Sequence, residues 1–325
     1  MCTIRPYKPT TDEDYAVLVE IHNAARPDEL STIANGRFHD SRWPQDKLRQ
    51  RFVVESNGQM ITEGAYMEPF WTNVEGKYVY GYSSLPAYEE QIDLHQLVYD
   101  YVLNQLADRN PTVLGTDSRE DRIIRVQWLK SQGFVPVMRF PISELDITNF
   151  DFSRFNGAQE RVVAAGVKII TLAQVQEQDP NWMEKLYEML WEIEQDVPSP
   201  DPHVKEPFDE FVKWFENPNL WPEGWQMAID PALGDDPVGA YVGVSMLAKN
   251  PAMPQRINTW LTGVVRSHRR KGIALAMKLR AIEFAIQQGG TAIRTDNEEN
   301  NPMLGINKQL GFVEIPAEVA FDKAL

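Results

Sequence analysis

The sequence predicts a mixed α/β fold, with helices packed on a mixed sheet, and predicts it twice over. Three observations lead there. The chain has 325 residues, close to two domains at roughly 150 residues each. Short β-branched apolar runs alternate with stretches of helical period from one end to the other. The order of these elements in the first half returns in the second, down to a closing pair at Gly133-Phe134 and again at Gly311-Phe312, which marks an internal repeat.

Residues 4–7 read as an opening strand, 12–25 as a helix and 44–51 as a shorter one. Residues 51–55 and 59–67 make a hairpin about Asn57-Gly58, the strongest short turn signal in the chain. A strand at 77–83, a helix at 91–106, a strand at 112–116 and a helix at 122–131 complete the first copy. Residues 149–163 have no clear period and contain Asn156-Gly157, so the boundary is placed there. The expected domains are 1–150 and 164–325, joined by a linker at 151–163.

The second copy opens with a strand at 166–172 and a helix at 180–194. Residues 196–207 carry four prolines and two aspartates and must form a loop. A short helix at 208–215 sets Phe208, Phe211, Trp214 and Phe215 on one side, as core or as a lid over substrate. Residues 225–230 and 238–247 form the next hairpin, through a connection that includes Asp235 and Asp236.

The most informative stretch is 259–288. Thr259 to Val265 is short, β-branched and apolar, as a buried strand should be. Then Arg266, His268, Arg269, Arg270 and Lys271 crowd six positions, followed at once by Gly272, Ile273 and Ala274. Leu275, Leu279, Ile282 and Ile286 recur along one face of a helix that lasts until Gly289-Gly290. A strand feeding a helix through a glycine turn leaves the first helical N–H groups unpaired at the positive end of the helix dipole, which makes an anion site. The chain as a whole has a formal net charge of −15, so a cationic cluster here is a local exception that a bound polyanion explains. After the helix come a strand at 291–295, a helix at 300–310 and a last strand around 313–321.

These residues resemble the GNAT family of acyl-CoA N-acyltransferases. Arg269-Arg270-Lys271-Gly272-Ile273-Ala274 fits the family's (Gln/Arg)-x-x-Gly-x-(Gly/Ala) signature, the turn that holds the CoA pyrophosphate. Gln287 to Ala292 also fits the letters, but it ends a helix instead of opening one and offers no anion site. The strand, helix and closing Leu310-Gly311-Phe312 match the second half of the family pattern. The resemblance implies two tandem GNAT domains, with acetyl-CoA bound by the C-terminal one through Val264, Val265, Arg269, Arg270, Lys271, Gly272, Ile273, Ala274, Asn300 and Asn307. The first copy departs from the family at the same place. Leu85-Pro86-Ala87-Tyr88-Glu89-Glu90 has no glycine and no Arg or Lys, and its two glutamates would repel a pyrophosphate. That copy is expected not to bind acetyl-CoA in the usual way.

The activity implied is transfer of an acetyl group from acetyl-CoA to a primary amine, by direct attack in a ternary complex. The protein must then hold the reactants together, accept a proton and steady the oxyanion. In the family a carbonyl oxygen lies near a backbone N–H of the strand before the turn, here Val264 or Val265. The tyrosine that usually protonates the leaving thiolate is replaced by Asn307, which can donate a hydrogen bond but not a proton. Candidate bases are Glu194 and Asp196 at the end of the 180–194 helix, and His203 in the proline-rich loop. A water chain is an equal alternative. Loss of the acid and base also fits a non-catalytic acyl-CoA-binding regulator.

Composition bounds the rest. Hydrophobic content of 43% and charged content of 24% are ordinary for a globular protein. No apolar run approaches the ~18 residues of a membrane span, and no secretory leader is evident. The single cysteine, Cys2, cannot pair internally and suits a reducing cytoplasm. An acidic pI near 4.8 argues against nucleic acid as a partner and favours a cationic amine acceptor by long-range steering. A small-molecule acceptor, no metal, and a monomer or homodimer are the expected partners and state.

Overall fold

Asn57 and Gly58 both take positive φ, 52° and 80°, and that left-handed pair turns β2 (Arg49–Ser56) back into β3 (Gln59–Met67). In this computed structural model, which describes residues 2–234 and 238–325, the chain forms two compact units. Asp235 and Asp236 lie outside the described residues.

The first unit comprises Met1–Pro141, Ser199–Val204 and Pro316–Leu325. Its strands are β1 (Cys2–Tyr7), β2, β3, β4 (Lys77–Ser84) and β5 (Val113–Arg119). All neighbours are antiparallel except β4 and β5, which are parallel. Helices α1 (Asp12–Ala25), α2 (Ile33–Ser41), α3 (Ile92–Leu106) and α4 (Ile123–Ser131) accompany them. Phe52, Ile61, Tyr80, Val98, Leu106 and Leu114 are among its fully enclosed core residues. Each such side chain contributes roughly 1.5–3 kcal/mol by leaving water.

The short helix expected at 44–51 is absent. The helix lies earlier, as α2, because the Thr32 hydroxyl caps it by accepting from the Asn35 N–H at 3.2 Å. Residues from Pro44 make only a turn, Lys47 N–H to Pro44 C=O at 3.1 Å, before β2 begins.

The second unit comprises Ile142–Pro198 and Lys205–Ile315. It repeats the plan with β7 (Lys168–Thr171), β8 (Gln226–Asp230), β9 (Ala240–Ala248), β10 (Arg256–Val264) and β11 (Ala292–Asp296). Again every neighbouring pair is antiparallel except the last, β10 with β11. Its helices are α5 (Ala158–Ala164), α6 (Leu172–Gln178), α7 (Trp182–Glu194), α8 (Phe208–Lys213), α9 (Ile273–Gln287) and α10 (Pro302–Leu310). The stretch read as a linker thus contains α5, started by Gly157 at φ 82°. The aromatic stripe expected on one helix runs from α8 into the 3-10 turn Trp214–Glu216 and is half-buried, with Phe211, Trp214 and Phe215 packed on the core around Trp225. Along α9 the buried residues include Ile273, Ala276, Met277, Leu279, Ala281, Ile282 and Ala285, with Lys278 among them, while Ile286 is exposed. The apolar face is therefore offset from the expected one, because α9 packs on the sheet and also on α5.

Two long strands tie the units' sequences together. β6 (Val135–Asp146) begins in the first unit, and its residues Ile142 to Asp146 pair antiparallel with β11 in the second. β12 (Val313–Ala324) begins in the second unit, and Glu318 to Ala324 pair antiparallel with β5 in the first. Each sheet is completed by the other copy's final strand. Pro141 and Pro316 stand where the two strands pass from one unit to the other.

Candidate active site

β10 carries a bulge. Its register against β9 shifts by one between Thr259 and Thr262, which bends a strand and re-aims its edge. Its parallel pairing with β11 covers only Arg256 to Asn258, opposite Ala292 to Arg294. From Thr259 onward the edge facing β11 is open. Val265 donates its N–H to Val242 C=O at 3.0 Å, and antiparallel alternation then turns the N–H and C=O of Val264 to the open edge. Of the two valines proposed to meet an acyl carbonyl, Val265 is already engaged, which leaves Val264.

The basic turn follows. Arg266 to His268 form a single 3-10 turn. Arg270 adopts φ 64° and Gly272 φ 81°, left-handed conformations that fold the chain directly into α9. Where α1, α6 and α10 are closed by the side chains of Thr11, Thr171 and Asn301, α9 starts on Gly272 with no side-chain cap. Its first N–H groups therefore remain available at the positive end of the dipole.

The five basic residues of the turn divide by role. His268 faces inward, its Nε2 3.0 Å from Asp230 Oδ2 and its Nδ1 2.9 Å from Ser267 Oγ, and so pins the turn to the end of β8. Arg266 donates to Asp196 at 2.8 and 2.6 Å. Arg269 donates to Asp196 at 2.5 Å and, through Nε, to Val264 C=O at 3.0 Å. Arg270 and Lys271 have no hydrogen-bond or ion-pair partner among the described residues.

The candidate catalytic residues separate. Hydrogen bonds from Arg266 and then Arg269 lower the Asp196 carboxyl to about 2. A carboxylate held that far down is a poor proton acceptor at neutral pH, and Asp196 serves instead as the counter-ion that spaces the two arginines. Glu192, not singled out from sequence, accepts the Arg266 N–H at 3.0 Å. Glu194 is exposed at the last position of α7. His203 lies in the segment Ser199–Val204 and belongs to the first unit.

Asn300 is bound to Glu298, through its N–H at 2.8 Å and its Nδ2 at 2.7 Å. Asn307 is fully buried on α10. Its Nδ2 donates to Asn297 Oδ1 at 2.5 Å, while its own Oδ1 has no hydrogen-bond partner. The amide thus commits one of its two N–H donors to Asn297 and leaves its buried acceptor oxygen unengaged.

Sequence reading also missed Arg161. A Cβ placed on Gly272 would stand 3.2 Å from Arg161 Cδ and 3.9 Å from its Nη1. The arginine stem crosses the glycine at the start of α9. The only signal was the second of two arginines in a stretch taken for a linker.

The corresponding place in the first unit is closed. β4 and β5 pair in parallel only over Lys77 to Val79 and Val113 to Gly115. Beyond that, Arg125 from α4 bridges the diverging strands, donating to Tyr82 C=O at 3.2 Å and to Asp117 C=O at 3.1 Å. Its guanidinium also sits 4.1 Å from the centre of the Tyr82 ring. Glu89, read as a repelling charge, is ion-paired with Arg122. What fills this slot is a side chain of the protein itself, more than an uncompensated glutamate.

Beneath Arg125, buried His95 meets the Tyr82 hydroxyl at 2.7 Å through Nδ1. Burial, and next the Arg125 charge, push this imidazole down to about 4. A free histidine titrates near 6.5. A depressed pKa means that the unfolded chain takes up the proton first, so stability is full above about 6.5 and drains as pH falls towards 4. Between pH 7 and pH 4.5 the wild type should lose roughly 2 kcal/mol that a His95→Gln variant keeps. Parallel denaturant titrations at the two pH values measure the difference, and equal slopes in both proteins would contradict it.

Residues 183–312 match the family model described as Acetyltransferase (GNAT) family. No curated protein matches the sequence. Among solved structures, the fold is similar to a tandem GNAT protein from the clavulanic acid biosynthesis pathway, with a TM-score of 0.73 at 15% identity over 100% of this chain and 98% of that one. It is also similar to a GCN5-related N-acetyltransferase from Sphaerobacter thermophilus, at 0.68 and 13% over 99% and 95%. A glucosamine N-acetyltransferase region of a fungal multi-domain β-N-acetylglucosaminidase gives 0.68 and 12%, over 99% of this chain and 38% of that one. At such identities the likeness is one of fold.

Proposed function

We propose that this chain, whose residues 183–312 form a GNAT acetyltransferase domain within a tandem GNAT fold, moves the acetyl group of acetyl-CoA to a primary amine of a small molecule. GNAT domains in general bind acyl-CoA. The observation that carries the reading here is the uncapped start of α9 at Gly272, beside the open edge of β10. A strand edge with unpaired backbone groups suits an extended chain with amides of its own, and the helix start suits a diphosphate.

In this reading the N–H groups of Ile273 and Ala274, with Arg269, Arg270 and Lys271, hold the diphosphate. The Val264 N–H meets the acyl carbonyl. The buried Oδ1 of Asn307 accepts a hydrogen bond from the cofactor, and Asn300 braces that neighbourhood through Glu298. Acetyl-CoA brings the acyl group already activated as a thioester, so the protein needs no nucleophile of its own and works by positioning. With Asp196 committed to arginines, Glu194 or an ordered water takes the amine proton. The first unit, with Arg125 in its slot, binds no acyl-CoA. A reducing cytoplasm, and action as a monomer or homodimer, complete the reading. Among the described residues no helix is long and apolar enough to cross a membrane.

A second reading is a non-catalytic acyl-CoA-binding regulator. Asn307 favours it, since a buried amide cannot protonate a leaving thiolate. An assay that follows free thiol release from acetyl-CoA across amines, amino sugars and aminoglycoside antibiotics decides between them. Amino sugars come first, because one structural relative is a glucosamine N-acetyltransferase region. Turnover with any acceptor is the expected result. Tight binding without turnover would select the regulator, and absence of binding would remove both.

A further inference from the structure

We propose that Arg161 binds a phosphate group of the acyl-CoA, extending the anion site with a residue from outside the matched acetyltransferase region; this rests on the cofactor reading above. The backbone of Arg161 is fixed even though its side chain is exposed. Ala158 and Val162 of α5 are buried in the second unit's core, and Gln159 Nε2 donates to Ala276 C=O of α9 at 3.0 Å. The two helices are thereby held side by side, and the Arg161 stem lies across Gly272, within 3.2 Å of where a Cβ would be.

Its charge is also uncommitted. Arg266 and Arg269 share Asp196, whereas no carboxylate or other hydrogen-bond partner takes the Arg161 guanidinium among the described residues. In a chain of net charge −15, an arginine that approaches a helix start and finds no acid there is suited to an anion that arrives with the ligand. A planar fork of N–H donors matches phosphate oxygens in pairs, which an ammonium does not. Acyl-CoA offers two such groups, the diphosphate and the 3′-phosphate of its ribose. Both have the required chemistry, and they can be told apart.

The test is calorimetric titration of the full chain, as wild type, Arg161→Ala and Arg161→Lys, with acetyl-CoA and with its 3′-dephospho form. Arg161→Ala should raise the Kd for acetyl-CoA by roughly tenfold or more, as expected for losing a charge-assisted hydrogen bond. Arg161→Lys should recover part of that loss. If the loss disappears with the 3′-dephospho ligand, the partner is the 3′-phosphate; if it is equal with both ligands, the partner is the diphosphate. Unchanged melting temperatures confirm that the variants are folded. Wild-type affinity in Arg161→Ala would overturn the inference alone and leave the cofactor reading standing. No binding by the wild type would overturn both.

Discussion

Gly272→Glu should abolish acetyl-CoA binding, by at least a hundredfold in Kd, in a protein that still folds. Three effects act together. The backbone at this position holds φ 81°, where a side chain costs roughly 1–2 kcal/mol of strain. The new Cβ would meet the Arg161 stem at 3.2 Å, a flexible neighbour that can give way. Above all, the carboxylate would be tethered at an uncapped helix start, and it would satisfy the same N–H groups that a diphosphate needs. Self-capping also repays part of the strain, so the melting temperature should move by only a few degrees. Gly272→Asn is the companion variant, since asparagine tolerates the left-handed region and carries no charge; it should retain much more affinity. One binding site per wild-type chain is expected. Retained affinity in the glutamate variant would place the cofactor elsewhere, and two sites per chain would mean that Arg125 does not close the first unit.

The second large effect is expected at Lys77→Met, and it concerns stability. Lys77 is 5% exposed. Its Nζ donates to Asp201 at 3.0 and 2.8 Å and to Asp322 at 2.8 Å. One ammonium thus joins three parts of the first unit that are distant in sequence: β4, the segment Ser199–Val204 and the end of β12. Methionine fills the space of the stem but leaves two carboxylates facing one another. Breaking a buried pair in this way costs about 3–5 kcal/mol; because Asp201 and Asp322 are 13% and 22% exposed, a loss near 3 kcal/mol is expected. Urea denaturation gives the number, and brief proteolysis should show new cleavage within 199–204. Adding Asp201→Asn and Asp322→Asn to Lys77→Met should restore much of the loss, because neutral amides can pair with each other. A stability unchanged in the single variant would show that the three groups balance out to nothing.

The parts of this molecule that were legible in its sequence are those set by neighbours along the chain. The run from Thr259 to Gln287 is strand, turn and helix because β-branched residues, a glycine and a helical period follow one another. The hairpin at Asn57-Gly58 needed only its two turn residues. β6 was not legible, because Pro136 and Pro141 are poor residues for a central strand and mask its pattern. α2 begins at the Thr32 cap, a weaker sequence signal than the proline at Pro44, which here starts only a turn. In the site, the glycine, the basic cluster and Asn307 could be picked out by type. Their engagements could not. Asp196 meets Arg266 across 70 residues of sequence, and no local pattern announces that its acid is spent, or that Arg161 rises beside a glycine more than a hundred residues later.

The crossing of β6 and β12 bears on how the chain is born. Synthesis runs from the N-terminus, and most domains can fold as they leave the ribosome, the first before the second. Here the first unit cannot do so. The strand that borders β5 is Glu318 to Ala324, made long after β5 itself, so its sheet keeps a bare edge throughout translation of everything between. The second unit's strand at Ile142 to Asp146 emerges before β11 exists to receive it. Both halves must therefore finish maturing only once β11 and β12 have emerged, by long-range pairings that form slowly. During that wait the nascent chain exposes an unprotected sheet edge, which is the moment at which a chaperone would matter most to it.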